Sequence, residues 1–147
     1  MRAATLILAA SMIAATIGCG GDPNVPPLGT VHGKVTLNGQ PVDGATVEFI
    51  PEGGRPSIGV ADANGEYSLL FKADVPGAVI GKHAVRITSQ RSRSGGEGDA
   101  PLVEARAETI PAKYNDQTTL SVEVTSGDNT HDFSLEGKRS GKASSGA

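Results

Sequence analysis

The side chains with chemical potential are few and far apart. Three histidines, His32, His83 and His131, are the only imidazoles among 147 residues. Neutral imidazoles ligate transition metals, but no cysteine or second histidine lies near any of the three in sequence. His32 and His83 are expected out of phase with the inward residues of their strands, as solvated side chains rather than ligands. Asp62-Ala63-Asn64-Gly65 has the opening spacing of a calcium loop, yet the later ligands, including a bidentate glutamate, are missing. A turn whose Asx side chains bond their own backbone accounts for the same residues. No serine stands in a Gly-x-Ser-x-Gly elbow, and no Ser, His and Asp set suggests a triad. The expectation is a chain without catalytic residues, metal or cofactor. One reactive group is left: Cys19, the single cysteine, which excludes an internal disulfide.

The residues around Cys19 give it a role. Arg2 is followed by an uncharged, mostly apolar run, 3–17, that ends in Gly18-Cys19-Gly20-Gly21-Asp22-Pro23. About fifteen apolar residues suit a signal-peptide core and fall short of the ~20 needed to span a bilayer. A small residue before a cysteine at the end of such a run resembles the lipobox of bacterial lipoproteins, although Thr16 stands where that pattern usually has Leu. The resemblance implies that 1–18 are removed and that Cys19 carries the lipid. Residues 19–28, rich in Gly and Pro, then form a semi-extended tether that holds the domain clear of the head groups.

Beyond the tether the pattern is of period two. Hydrophobic residues make up 37% and aromatics 3%, with 20 Gly and 9 Pro; that suits one modest core of short strands joined by tight turns. Val31, Gly33, Val35 and Leu37 share one face of a first strand, and Asn38-Gly39 is a strong two-residue hairpin signal. Ala45, Val47 and Phe49 mark a second strand, 57–61 a short third, and Tyr67, Leu69 and Phe71 a fourth over 66–71. Val85 and Ile87 point inward from a fifth over 83–89. Residues 90–107 lack alternation and are expected as a long exposed loop. Residues 109–116 are irregular and pack Ile110 and Tyr114 on an edge. Leu120, Val122 and Val124 mark a sixth strand, 126–129 a turn, and 130–135 a seventh with Phe133 inward. Residues 137–147 are expected as a disordered tail. Seven short strands and no helical periodicity predict an all-β sandwich.

Several of these stretches also carry a family likeness. Gly33-Lys-Val35, Asn38-Gly-Gln-Pro41-Val-Asp-Gly44-Ala45-Thr-Val47-Glu-Phe49, Asp62-Ala-Asn-Gly65-Glu-Tyr67-Ser-Leu69 and Gly81-Lys-His-Ala-Val85-Arg-Ile87 resemble the carboxypeptidase regulatory-like domains, which are transthyretin-like, immunoglobulin-like sandwiches. They are related in pattern to collagen-adhesin B-type modules. The likeness covers 29–136. It implies the fold and leaves function open, since such modules serve diverse partners. Enzymes of the transthyretin-like hydrolases end in Tyr-Arg-Gly-Ser; Gly137-Lys-Arg-Ser140 departs from that. Adhesin modules sometimes join a Lys to an Asn with the help of a buried acid. Lys34, Glu48 and Asn129 lie roughly in place along the chain, but Lys34 and Glu48 should face solvent, whereas the reaction needs a buried lysine of depressed pKa.

Charge narrows the partners. Of 13 Lys and Arg against 16 Asp and Glu, Arg2 alone lies in the signal segment, so the processed chain is acidic. Nucleic acid would ask for a clustered basic face, and Arg91-Ser92-Arg93 sits in a Ser/Gly-rich loop. The reading is a lipid-anchored binding or structural module of the cell envelope, on the non-cytoplasmic side of a membrane. Its partner is an unknown envelope protein or a polysaccharide. A carbohydrate-binding accessory is the alternative, with Tyr114 as the ring left for stacking.

Overall fold

The computed structural model describes residues 21–138. The expected signal segment 1–18, Cys19 and the residues after Lys138 lie outside the described part. Within it the chain is all-β, in two sheets that close on one core.

The first sheet is organised by one strand. β1 (Leu28–Leu37) buries Val31, Val35 and Leu37 on its inner face, the parity set by the alternation of its side chains. Asn38 and Gly39 have φ of 52° and 79°, the positive values that a type I′ turn requires. The chain therefore reverses, and β2 (Gln40–Pro41) pairs back through Leu37↔Gln40. The expected hairpin forms, but its return arm is only two residues long. Val42 to Gly44 then carry the chain across to the second sheet.

There, β3 (Thr46–Pro51) lies between β4 (Ser57–Val60) and β9 (Gly81–Thr88), antiparallel to both. Val47, Phe49, Val85 and Ile87 are fully buried between the sheets. β10 (Ser121–Val124) pairs with β9 on the far side.

The expected fourth strand is two strands in different sheets. β5 (Glu66–Ser68) pairs with β1, and β6 (Leu70–Lys72) pairs with β4. Tyr67, Leu69 and Phe71 all remain buried, because a strand can change sheets at a sandwich corner without losing its inward face. Two short pieces follow: β7 (Val75–Pro76) against β6, and β8 (Ala78–Val79) against β1.

The C-terminal segment also differs from expectation. Most of the expected turn 126–129 is strand: β11 is Gly127–Thr130, and the expected seventh strand 130–135 is reduced to Thr130 at the end of β11 and to β12 (Phe133–Leu135). Both run parallel to β1, with Val31↔Asn129 and Val35↔Phe133. His131 and Asp132 interrupt the ladder between them. The described chain therefore contains twelve strand segments where seven were expected, because β1 is flanked on both edges by short pieces in series.

Both ends of the domain are tied down further than the sequence suggested. Gly137 exchanges hydrogen bonds with the Asn38 side chain, accepting from Nδ2 at 2.7 Å and donating to Oδ1 at 3.2 Å. At the other end the Val25 amide donates to the Asp22 carbonyl, closing a turn, and Lys72 Nζ lies 2.9 Å from Asp22 Oδ2. The tether expected to hold the domain away is folded onto it from Asp22 onward.

Candidate functional site

Three features of the outer surface could contact a ligand or partner. The first is an open cleft of about 600 Å³ on the outer face of the first sheet. Strand pairing builds it: His32 stands opposite Ser68 and Thr130, and Lys34 opposite Glu66. Asp62 and Asp132 complete its polar lining. His32 Nδ1 lies 3.2 Å from Asp128 Oδ1 and its Nε2 lies 3.1 Å from the Thr130 hydroxyl, so both ring nitrogens are already engaged.

Asp62 Oδ1 accepts from the amides of Asn64 and Glu66 at 2.8 and 3.0 Å, and Gly65 takes φ of 79°. The Asx-turn reading of this motif holds. Asp132 Oδ1 accepts from the Lys34 amide at 2.9 Å. The carboxylates thus bond the domain's own backbone. Among the described residues no group of three or more His, Cys, Asp or Glu side chains converges as a metal site.

The floor of this cleft repairs a gap in the sheet. Where His131 and Asp132 leave the ladder, the His131 carbonyl and the Lys34 amide lose their strand partners. The Tyr67 hydroxyl donates to that carbonyl at 2.7 Å, and Asp132 takes the amide. Tyr67 crosses β1 at Gly33, where a Cβ would overlap the His131 carbonyl and meet Tyr67 Cε1 at 3.1 Å. Burial pushes the Tyr67 phenol above its ordinary pKa, and the nearby Asp132 charge adds to the shift.

The histidines do not share a face. His83 was expected to point outward, but it has the parity of Val85 and Ile87 and is buried. Its Nε2 lies 2.6 Å from the Val79 carbonyl, and its ring is 5.7 Å from Phe49. His131 sits 5.7 Å from the same Phe49 ring. These two are packing partners of the core aromatic, while His32 stands outside.

The second feature is the segment 90–107. It is exposed, as expected, but it is a paired arm rather than an unstructured loop. Arg91 and Arg106 exchange backbone hydrogen bonds, as do Ser94 and Val103. A carboxylate buckles its base. Glu108 accepts from the Ser89 hydroxyl at 2.6 Å and from the amides of Ser89, Thr109 and Ile110 at 2.8 to 2.9 Å. Burial alone would raise the Glu108 pKa; these hydrogen bonds outweigh it and hold the carboxyl below its ordinary value. Nothing in the sequence pattern singled out Glu108, whose partners are mostly backbone amides.

The third feature is an apolar stripe on the outer face of the second sheet. Ile58 and Leu70 are each 46% exposed and Val60 62%, and Ile58 and Leu70 are direct partners across β4 and β6.

The other sequence candidates have structural duties. Asn129 is buried, with Nδ2 donating to the carbonyls of Thr30, Thr125 and Gly127 and Oδ1 accepting from Thr125. Lys34 is exposed, and Glu48 is half-buried and pairs with Arg86 at 3.6 Å, so no buried lysine faces an asparagine here. Tyr114 packs against the core, its hydroxyl accepting from the Glu136 amide at 3.1 Å and its ring covered by Lys113 Nζ at 4.8 Å. Cys19 lies outside the described residues.

Comparison with known proteins adds little. No family model matches the chain, and no curated protein matches it. Among solved structures, the chain is similar to part of a 9R-lipoxygenase from Cyanothece PCC8801, at 20% identity and a TM-score of 0.34. That match covers 77% of this chain and 17% of the other. No helix of the described residues is long and apolar enough to cross a membrane.

Proposed function

We propose that the chain is a bacterial lipoprotein whose domain serves as a binding or structural module of the cell envelope. In this reading residues 1–18 are the signal peptide, Cys19 carries the lipid, and residues 29–136 form a carboxypeptidase regulatory-like, transthyretin-like sandwich. One observation carries it: the apolar run ends at Gly18-Cys19, and the chain has no other cysteine. The two sheets around one core suit such a sandwich. The paired arm 90–107 and the outer strands β7 and β10 offer a partner side chains and unpaired backbone groups.

Expression in a bacterial host with detergent phase separation tests the anchor. Wild type should enter the detergent phase as the cleaved form, and Cys19→Ser should stay aqueous or remain unprocessed. A Cys19→Ser chain that is correctly cleaved and still partitions into detergent would refute the assignment.

A further inference from the structure

The apolar stripe and the start of the domain lie on the same face. By register, one row on the outside of the second sheet runs Arg86, Glu48, Ile58, Leu70, Pro76. Val60 stands two residues from Ile58 with the same outward parity. Lone exposed aliphatic residues are ordinary on a soluble surface. Here Ile58 and Leu70 are cross-strand partners, 46% exposed each, with Val60 at 62% beside them, so they make a continuous strip. A hollow of about 250 Å³ opens along it, with Arg55, Ile58, Leu70 and Lys72 among its lining residues.

The tether sets what lies opposite. Leu70 and Lys72 share the outward parity of β6, and Lys72 holds Asp22 at 2.9 Å. Leu70 is two strand residues from Lys72, about 7 Å, and Ile58 is one strand further, about 5 Å. Only three peptide steps separate Asp22 from Cys19, a span of at most about 10 Å. The head-group layer on one side of a bilayer is itself about 5–8 Å deep. A lipid on Cys19 therefore places Lys72 and its strand at the membrane surface.

Two cations beside the strip are committed to carboxylates, and Arg55 at the hollow keeps its charge toward solvent. Arg86 lies 3.6 Å from Glu48 and 3.3 Å from Asp116, and Lys72 is held by Asp22. What this face presents is apolar contact with cationic stems beside it, the arrangement that suits the boundary between head groups and acyl chains.

We propose that the outer face of the second sheet, centred on Ile58, Leu70 and Val60, rests on the lipid bilayer that carries the Cys19 anchor. The proposal builds on lipidation of Cys19. It fixes the orientation of the domain: the second sheet lies on the bilayer, and the polar cleft of the first sheet faces away from it.

A labelling experiment on the full-length chain in vesicles tests this. Once Cys19 is lipidated, an introduced cysteine is the sole free thiol. A fluorophore is placed at Ile58→Cys, Leu70→Cys or, as control in the cleft on the opposite face, Lys34→Cys, all exposed positions. Each variant is first checked for a wild-type thermal transition in detergent. A quencher carried by the lipid should then dim the labels at 58 and 70 several-fold more than the label at 34. Equal quenching at all three sites, or none at 58 and 70 in a chain that still fractionates with vesicles, overturns the orientation and leaves the anchor standing. Reaction of the wild-type chain with the thiol reagent at Cys19, with the chain in the aqueous fraction, overturns the anchor and this proposal with it. Disulfide-linked pairs of Ile58→Cys chains at dilute concentration in detergent would assign the stripe to a second copy instead.

Discussion

Tyr67→Phe removes one hydroxyl and leaves the ring, so it isolates the bond that closes the gap beside β1. Tyr67 is 3% exposed and its hydroxyl donates to the His131 carbonyl at 2.7 Å. The net worth of such a bond is about 0.5–1.5 kcal/mol, and an orphaned buried carbonyl costs about 1–3 kcal/mol. A loss of about 1–3 kcal/mol is therefore expected in urea unfolding. Gly33→Ala attacks the same place from the other side. Its Cβ would overlap the His131 carbonyl, so the backbone must move, and the cost should reach the upper end of the about 1–3 kcal/mol typical of overpacking, or exceed it. Because the methyl added by Gly33→Ala already displaces the phenol from its acceptor, the double variant should cost less than the sum of the two singles, by more than the ~0.5 kcal/mol within which independent sites add. The phenol also titrates. Its folded pKa is raised above the ordinary 10.0, so the stability tied to the neutral hydroxyl is fully present below about pH 10 and is lost as pH rises toward the folded value. Tyr67→Phe should therefore flatten the alkaline limb of the stability profile. An unchanged urea midpoint for Tyr67→Phe would refute the repair, and strict additivity with Gly33→Ala would refute the shared gap.

Phe49→Ala, which empties a fully buried site among His83, His131 and Phe133, should cost about 3–5 kcal/mol. Glu48→Ala, one residue along on the outer face, should stay within about 0.5 kcal/mol; chemical denaturation showing the reverse order would place the register one residue off. Glu108→Gln should cost about 1–2 kcal/mol at neutral pH, since charge-assisted bonds are worth about 1.5–3 kcal/mol and this carboxylate is partly solvated. The folded pKa of Glu108 is depressed below 4.5, so its contribution is present above that pH and is lost as pH falls through the folded value; the variant should show a shallower acid limb. Replacing 93–104 by a tight turn, with the Arg91–Arg106 pair kept, should move the melting transition little, because flexible loop length costs only ~0.6 kcal/mol per doubling. A collapse of that transition would show that the arm's tip supports the core.

The inner face was legible because alternation and turn chemistry agreed. Val31, Val35, Leu37, Val47, Phe49, Val85 and Ile87 were expected inward and are buried, and Asn38-Gly39 makes its two-residue reversal. What alternation cannot tell is which sheet a residue's strand belongs to. Tyr67, Leu69 and Phe71 keep one parity while the backbone changes partners between Ser68 and Leu70, so the sheet switch leaves no trace in the pattern. His83 was misplaced for a different reason: its polar type outweighed the parity it shares with Val85. The polar arm was legible as exposed but not as paired, since its ladder is made by backbone groups and any side chain could decorate it. The cleft residues were named singly; bringing His32, Ser68 and Thr130 into one row required the pairing of three strands distant in sequence.

That distance also explains why the C-terminal strands were misread. Antiparallel neighbours are joined by short turns whose residues announce them, but parallel neighbours need a long crossover. Here the crossover is nearly the whole domain: Gly29 pairs with Gly127, and Leu37 with Leu135. Ser126 to Asn129 carries turn-like residues, and Gly127 has φ of 91°, yet β1 recruits the segment as a strand because Asn129 satisfies the local backbone with its own side chain. The polar residue that weakens the sequence signal is the one that makes the strand possible. It follows that the first sheet closes late. Until Phe133 and Leu135 arrive, one edge of β1 and the side of the core facing Phe49 and Tyr67 stay open. Contacts of such long separation slow folding, because the loop between them must close first. The same contacts fasten the domain's two ends to a single strand, which begins six residues after Asp22 and, in the proposed orientation, carries the load between the anchor and everything the domain holds.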